Sequence, residues 1–255
     1  MRLLAVPLLM LVPLAATAAD ECRYQSPRNF TLDLQGVRSV HVQLNSHDLQ
    51  LHAGSGNQLI LQGRACASDQ KLLDGLVVTQ HREDDRLVIE ATNKPGFSFN
   101  MFGDYSAGLQ LDLQLPATMP VVLDIGSGDA HVRGLQQLRS QVGSGDLHVD
   151  GITGAVEVGV GSGDVELTQI GSLAVGALGS GDLKAHGVTG DVRVGTVGSG
   201  DLELRKIGGN VRVDTVGSGD VNVDDVRGGL SVGAVGSGDV RHSNVTGKVD
   251  VPRDD

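Results

Sequence analysis

The sequence predicts an all-β protein: a right-handed parallel β-helix, or β-solenoid, of 17–19-residue rungs with an N-terminal β-rich capping region. Two observations carry that prediction. Gly126-Ser127-Gly128-Asp129 returns with the same four residues beginning at Gly143, Gly161, Gly179, Gly198, Gly217 and Gly236, at intervals of 17, 18, 18, 19, 19 and 19 residues, and a fixed short period marks a stacked array. Each copy also repeats one apolar rhythm. Leu202, Leu204, Ile207, Val211, Val213 and Val216 in one copy become Val221, Val223, Val226, Leu230, Val232 and Val235 in the next.

The apolar triplet recurs after nine residues, so each repeat has two similar halves. One is introduced by Gly-Ser-Gly-Asp and the other by a single glycine such as Gly190, Gly209, Gly228 or Gly247. Alternation such as Leu202/Leu204 and Val211/Val213 turns one face inward at the two-residue period of a strand. Valine suits a pleated surface, and glycine is expected at corners that need positive φ. A helix would tolerate so many glycines badly, and a propeller blade needs about 40 residues, twice this period. Seven rungs at the strand spacing of about 4.8 Å make a rod of about 34 Å.

From its start, residues 1–19 read as a signal peptide. Met1-Arg2 precede an apolar run over residues 3–14, broken by Pro7 and Pro13, and then Ala15-Ala16-Thr17-Ala18-Ala19 supplies small residues for cleavage after Ala18 or Ala19. The run is too short to span a membrane, and the rest of the sequence has no candidate span. The chain is expected to be exported.

The net charge of −11 becomes −12 once Arg2 leaves with the leader. An acidic surface without basic clusters argues against nucleic acid and anionic membrane as partners. Cys22 and Cys66 are an even pair in an oxidising compartment, and a disulfide between them is expected. Free thiols or a metal pair would be the alternative, without histidine spacing to support it.

Residues 20–125 form the N-terminal β-rich region and residues 126–255 the repeat solenoid. The former alternates over 40–44, 49–51, 59–61, 76–78, 87–89 and, most cleanly, 109–115. Asn45-Ser46-His47-Asp48 and Glu83-Asp84-Asp85 read as turns, and Gly54-Ser55-Gly56-Asn57 as a stray copy of the repeat motif. The region either caps the solenoid or continues it.

A β-rich lead-in, a strand ending at Leu115-Pro116 and serial Gly-Ser-Gly-Asp rungs together resemble the bacterial putative-adhesin family, related to the domains called auto-transporter adhesin heads or GIN domains. The resemblance covers residues 30–255. It implies a β-helix, an exported location and an adhesive or envelope-associated role, and it supplies no catalytic residues. No translocator follows Asp255, so the periplasm is the expected address, with the cell surface as the alternative.

Asp129, Asp146, Asp164, Asp182, Asp201, Asp220 and Asp239 each precede an inward residue, so they should stack outside at one corner. Like charges about 4.8 Å apart repel by about 0.9 kcal/mol per pair even at the dielectric of water. Two readings address that cost. The aspartates and serines accept turn N–H groups, as in Asx and ST turns, or the carboxylates ligate calcium. The calcium β-roll repeat Gly-Gly-x-Gly-x-Asp fits poorly, because here no residue separates the second glycine from the aspartate. Apart from calcium, no cofactor is expected.

Two residues further on lies an outward column that includes His131, His148 and Glu166. A zinc site there competes with an ordinary solvated face, since Lys184 and Arg241 continue the column. His242 stands at an inward position of the last rung, which reads as a polar end to the solenoid. The motif serines lack the glycine two residues earlier that a nucleophile elbow needs, and no dinucleotide or P-loop spacing occurs.

Residues 96–105 hold four of the six aromatics: Phe97, Phe99, Phe102 and Tyr105. They form either an exposed binding loop for a glycan or protein or a cap over the first rung.

The function expected is a non-enzymatic exported binding module, adhesin-like or envelope-associated, whose partner is an envelope polymer or protein. Self-association through open ends is a further expectation. Alternatives are a structural or stress-sensing envelope component and, on fold analogy alone, a carbohydrate-active β-helix enzyme.

Overall fold

The computed structural model describes residues 22–94 and 106–252. The chain opens with β1 (Tyr24–Pro27), β2 (Phe30–Asp33), β3 (Ser39–Leu44), β4 (Asp48–Gly54), β5 (Gln58–Ala67), a single helix turn and a half α1 (Gln70–Gly75), β6 (Leu76–Glu83), β7 (Arg86–Asn93) and β8 (Ala107–Pro116). Then come β9 (Val121–Ile125), β10 (Ala130–Arg133), β11 (Leu138–Val142), β12 (Leu147–Asp150), β13 (Ala155–Val160), β14 (Val165–Ile170), β15 (Ser172–Leu178) and β16 (Leu183–Val188). The last are β17 (Val192–Val197), β18 (Leu202–Ile207), β19 (Val211–Val216), β20 (Val221–Val226), β21 (Leu230–Val235), β22 (Val240–Val245) and β23 (Val249–Asp250).

Two sheets face each other. The first has 12 strands, β1-β5-β8-β4-β10 and then every even strand to β22, with β2 also on β5. The second has 11, from β23 through the odd strands to β9 and on to β3, β7 and β6. One coil of the solenoid is therefore a strand of the second sheet, a motif corner, a strand of the first sheet and a second corner. Register is kept from coil to coil apart from one shift between β13 and β15 at Val158–Val160: Leu183 lies beside Leu202, Leu202 beside Val221, Val192 beside Val211 and Val211 beside Leu230. The six inward positions of the inner repeats become six columns buried between the sheets, apolar apart from Ser140, whose hydroxyl donates to Leu123 O at 2.9 Å, and continuous in one core.

The solenoid extends behind the first motif, and out of chain order. β3 and β4 pair in parallel with β9 and β10, while β7 and β8 pair in parallel on their other sides. The chain thus lays down one coil, builds the next on one side of it, and returns at Val121 to continue on the other side. The N-terminal region both continues and caps the rod, because β5 joins β8, β6 joins β7, and β1 and β2 join β5 in antiparallel fashion. The disulfide Cys22–Cys66 ties the N-terminal segment to β5.

This order corrects one reading of the sequence. The in-register relative of the motif is Asn45-Ser46-His47-Asp48, not Gly54-Ser55-Gly56-Asn57. Gly126 N–H donates to Leu44 O and Ser127 N–H to Asn45 O, as Gly143 and Ser144 do to Ile125 and Gly126 one coil later. The Gly54 stretch instead ends β4 and turns into β5.

The motif glycines also have a different cause from the one expected. None adopts positive φ; the left-handed corner lies five residues beyond each aspartate and holds Gly134, Gly151, Gln169, Gly187, Lys206, Asp225 and Asn244. A side chain in that region costs on the order of 1 kcal/mol. Lys206→Gly is accordingly expected to raise stability by about 1 kcal/mol in urea unfolding, provided its exposed side chain contributes little elsewhere. A fall would show that the lysine stem packs usefully.

Among the described residues, the last coil is the least buried. His242 pairs with Val223 but is exposed, and Val240 and Val245 are half-buried where the equivalent residues of inner coils are buried.

Candidate functional site

The repeated corner is a hydrogen-bond ladder. In the coil of Gly143 the first glycine donates to Ile125 O at 2.8 Å, while Ser144 and Gly145 both donate to Gly126 O, at 2.7 and 3.2 Å. The fourth N–H of the corner, on the aspartate, takes a side-chain acceptor: Asp146 N–H donates to Asp129 Oδ1 at 3.1 Å. The same bond recurs from Asp164 to Asp146, Asp182 to Asp164, Asp201 to Asp182, Asp220 to Asp201 and Asp239 to Asp220, at 3.0–3.1 Å. Asp129 makes a longer one, 3.4 Å, to Asp48 of the N-terminal coil. The carboxylates do accept N–H groups, but from the next rung rather than from their own turn. The serine side chains stay exposed in every copy.

The second corner uses the same device with an amide. Asn210 N–H donates to Asp191 Oδ1 at 2.8 Å, and Gly229 N–H to Asn210 Oδ1 at 2.9 Å. An asparagine therefore fills the role, which bears on the cation question. Asp182→Asn with Asp201→Asn should keep the ladder while removing like-charge repulsion, leaving stability equal or higher by about 1–2 kcal/mol. A calcium-dependent rise in the parent's melting temperature that vanishes in this variant would make the column a cation site. Among the described residues no three acidic, histidine or cysteine side chains converge on a point that would hold a metal ion.

The local electrostatics follow the ladder. At the end of the rod the Arg241 guanidinium, and then the Asp239 N–H, hold Asp220 below the usual carboxylate range. Asn210 N–H does the same to Asp191, and the side chains of Ser243 and Asn244 to Asp224.

His131 and His148 come together as expected of neighbouring rungs, their rings stacked with centroids 4.7 Å apart. Glu166 reaches His148 Nδ1 at 3.3 Å. The three occupy the outward face of the first sheet in register. Phe97, Phe99, Phe102 and Tyr105 lie outside the described residues.

Sequence reasoning passed over His47. It takes the place of the second motif glycine, is 1% exposed, and its Nδ1 receives Leu109 N–H at 3.4 Å. Burial pushes its pKa below 6.5. Below that pH the unfolded chain binds a proton that the folded chain refuses, so stability falls on acidification by up to about 1.4 kcal/mol per pH unit until the folded pKa is reached. Melts from pH 7.5 down to 5 should show this loss, and it should shrink in His47→Gln.

The outward face of the first sheet is concave in places. One cavity of about 470 Å³ is lined by Asn29, Asp48, Gln50, Gln62, Arg64 and Asp112, among others. A second, of about 280 Å³, shares Gln50 and continues past His131, Arg133, His148 and Glu166.

Residues 66–245 match the family described as putative auto-transporter adhesin, head GIN domain. The chain belongs to this family. No curated protein matches the sequence. Among solved structures, an adhesin-family member shares its fold with a putative adhesin from Bacteroides fragilis at 15% identity and a TM-score of 0.52, over 90% of this chain and 98% of the other. A putative lipid binding protein from Parabacteroides distasonis is similar at 14% identity and a TM-score of 0.53, over 91% and 98%. At such identities the likeness of this adhesin-head chain to them is one of fold.

Proposed function

We propose that this chain is an exported, non-catalytic rod that serves as an adhesin-type binding module in the cell envelope, with the periplasm as its address. Membership of the adhesin-head family is the observation that carries this reading. A chain of residues 1–19 with the pattern of a leader supports export, as does the Cys22–Cys66 disulfide, a bond that persists in oxidising compartments. The repeated corners support a non-catalytic role, since six of the seven motif aspartates, Asp129 through Asp220, each hold the N–H of the next rung's aspartate. The lipid-binding name of the Parabacteroides structure does not transfer readily, because apolar side chains fill the space between the sheets.

The test is co-sedimentation of the disulfide-intact protein with washed envelope fragments, alongside fractionation of expressing cells. Retention on the fragments, with a periplasmic form beginning at Ala19 or Asp20, is expected. Protein left in the supernatant, or an uncleaved cytoplasmic form, would overturn the reading. Deletion of residues 96–105 in the same assay measures what the aromatic segment contributes.

A further inference from the structure

We infer that the outward face of the first sheet, where the cap meets the first coils, is a binding groove for a neutral, hydroxyl-rich oligosaccharide. This rests on the adhesin reading and assigns its site. The 470 Å³ and 280 Å³ cavities share Gln50 as a common wall. Together they cross β5, β8, β4, β10, β12 and β14, six adjacent strands of one sheet, or about 24 Å at the strand spacing. An elongated groove of that length suits several linked units of a polymer rather than one compact ligand.

The lining selects the chemistry. Gln50 and Gln62 each offer two donors and an acceptor oxygen with two lone pairs, matching hydroxyls that both donate and accept. Arg64 is steadied by one hydrogen bond to Gln110 at 2.7 Å, which leaves other N–H donors of its fork. Asn29 is fixed by accepting Gly63 N–H at 2.9 Å, so its NH2 group is held in place. Asp112, 3.7 Å from His52, adds a carboxylate acceptor. Gln50, Gln62, Arg64 and Asp112 sit on strands and Asn29 on the two-residue link between β1 and β2, so little ordering is needed on binding.

Charge removes the competing ligands. The two cavities bring four carboxylates, Asp48, Asp112, Asp150 and Glu166, against two guanidinium groups, Arg64 and Arg133. That balance repels phosphate- or sulfate-bearing polymers, in keeping with the net charge of −11. A lone cation would need several oxygens at one point, and among the described residues none converge so. An apolar chain would strand the amides without partners.

Isothermal titration of the full, disulfide-intact chain tests the assignment, with hexamers of β-linked N-acetylglucosamine and of β-linked glucose as probes and a heparin fragment as the anionic control. At least one neutral hexamer should bind, and more tightly than its trimer. Gln50→Ala and the pair Gln62→Ala with Asp112→Ala should each weaken it by about tenfold or more, with melting unchanged. Lys184→Ala, on the same face beyond both cavities, should bind like the parent. No binding of either hexamer at millimolar concentration, equal binding by Gln50→Ala, or preference for heparin would overturn the proposal. Retention on envelope fragments separates the two readings. If Gln50→Ala is retained as the parent is, adhesion stands and this groove falls; if hexamers bind but the parent is not retained, the groove stands and the adhesin reading falls.

Discussion

Gly200→Ala should lower the unfolding free energy by about 3–5 kcal/mol, whereas Gly176→Ala should leave it within about 0.5 kcal/mol of the parent or raise it slightly. A Cβ built on Gly200 would lie 1.8 Å from Gly181 O of the adjacent rung, and that atom belongs to backbone that cannot swing aside. Ordinary overpacking costs about 1–3 kcal/mol because side chains adjust. Here the rungs themselves must part. Separation weakens the bonds from Ser199 and Gly200 to Gly179 O, at 2.8 and 3.1 Å, and the Asp201 bond to Asp182, each contributing about 1 kcal/mol. Gly176, by contrast, has nothing within 4 Å of its Cβ position and no positive φ, and glycine in a strand interior is itself unfavourable. Urea unfolding of both variants decides the matter. A parent-like midpoint for Gly200→Ala would mean that the corner stack yields easily, and the repeated second glycine would then need another explanation.

Reduction of the Cys22–Cys66 disulfide, or Cys22→Ser with Cys66→Ser, should cost about 4 kcal/mol by loop-closure entropy, the sequence separation being 44 residues. The loss should be local. In a solenoid each coil contacts its neighbours, so the cap of β1, β2 and β5 should loosen first while the motif coils persist. Hydrogen exchange with and without reductant reads this directly: protection should fall at residues 24–33 and stay high at Leu204 and Val213. Uniform loss along the rod would show that cap and coils unfold as one unit. No loss at all would show that the reduced, unfolded chain is already constrained.

The interior of this protein was legible residue by residue. The triplets Leu202/Leu204/Ile207 and Val211/Val213/Val216 are buried as two strands of facing sheets, because alternation and burial are both properties of single positions. The same held for the outward aspartates and for the column that brings His131 and His148 onto neighbouring rungs, whereas His242, read at an inward position, is exposed in the last coil. The motif's N-terminal relative was misread for a definite reason. Gly54-Ser55-Gly56-Asn57 matches in residue type, but Asn45-Ser46-His47-Asp48 matches in place, and place depends on β3 and β4 lying between two coils that are distant in sequence. The candidate groove was invisible for the same reason, since Asn29, Gln62, Asp112 and Gln50 meet only because β5, β8 and β4 are neighbours.

What the sequence by itself determined is the unit: the coil length, the six inward positions, the corner residues and the pair of cysteines able to join. Tertiary structure alone decided why the corners need those residues. A glycine that looked like a request for positive φ is a request for room against the next rung's carbonyl, and an aspartate that looked like a turn-former is the acceptor for the next rung's N–H. Both demands come from atoms 17–19 residues away along the chain but in contact across the stack, and no local pattern records which of a residue's neighbours will press on it.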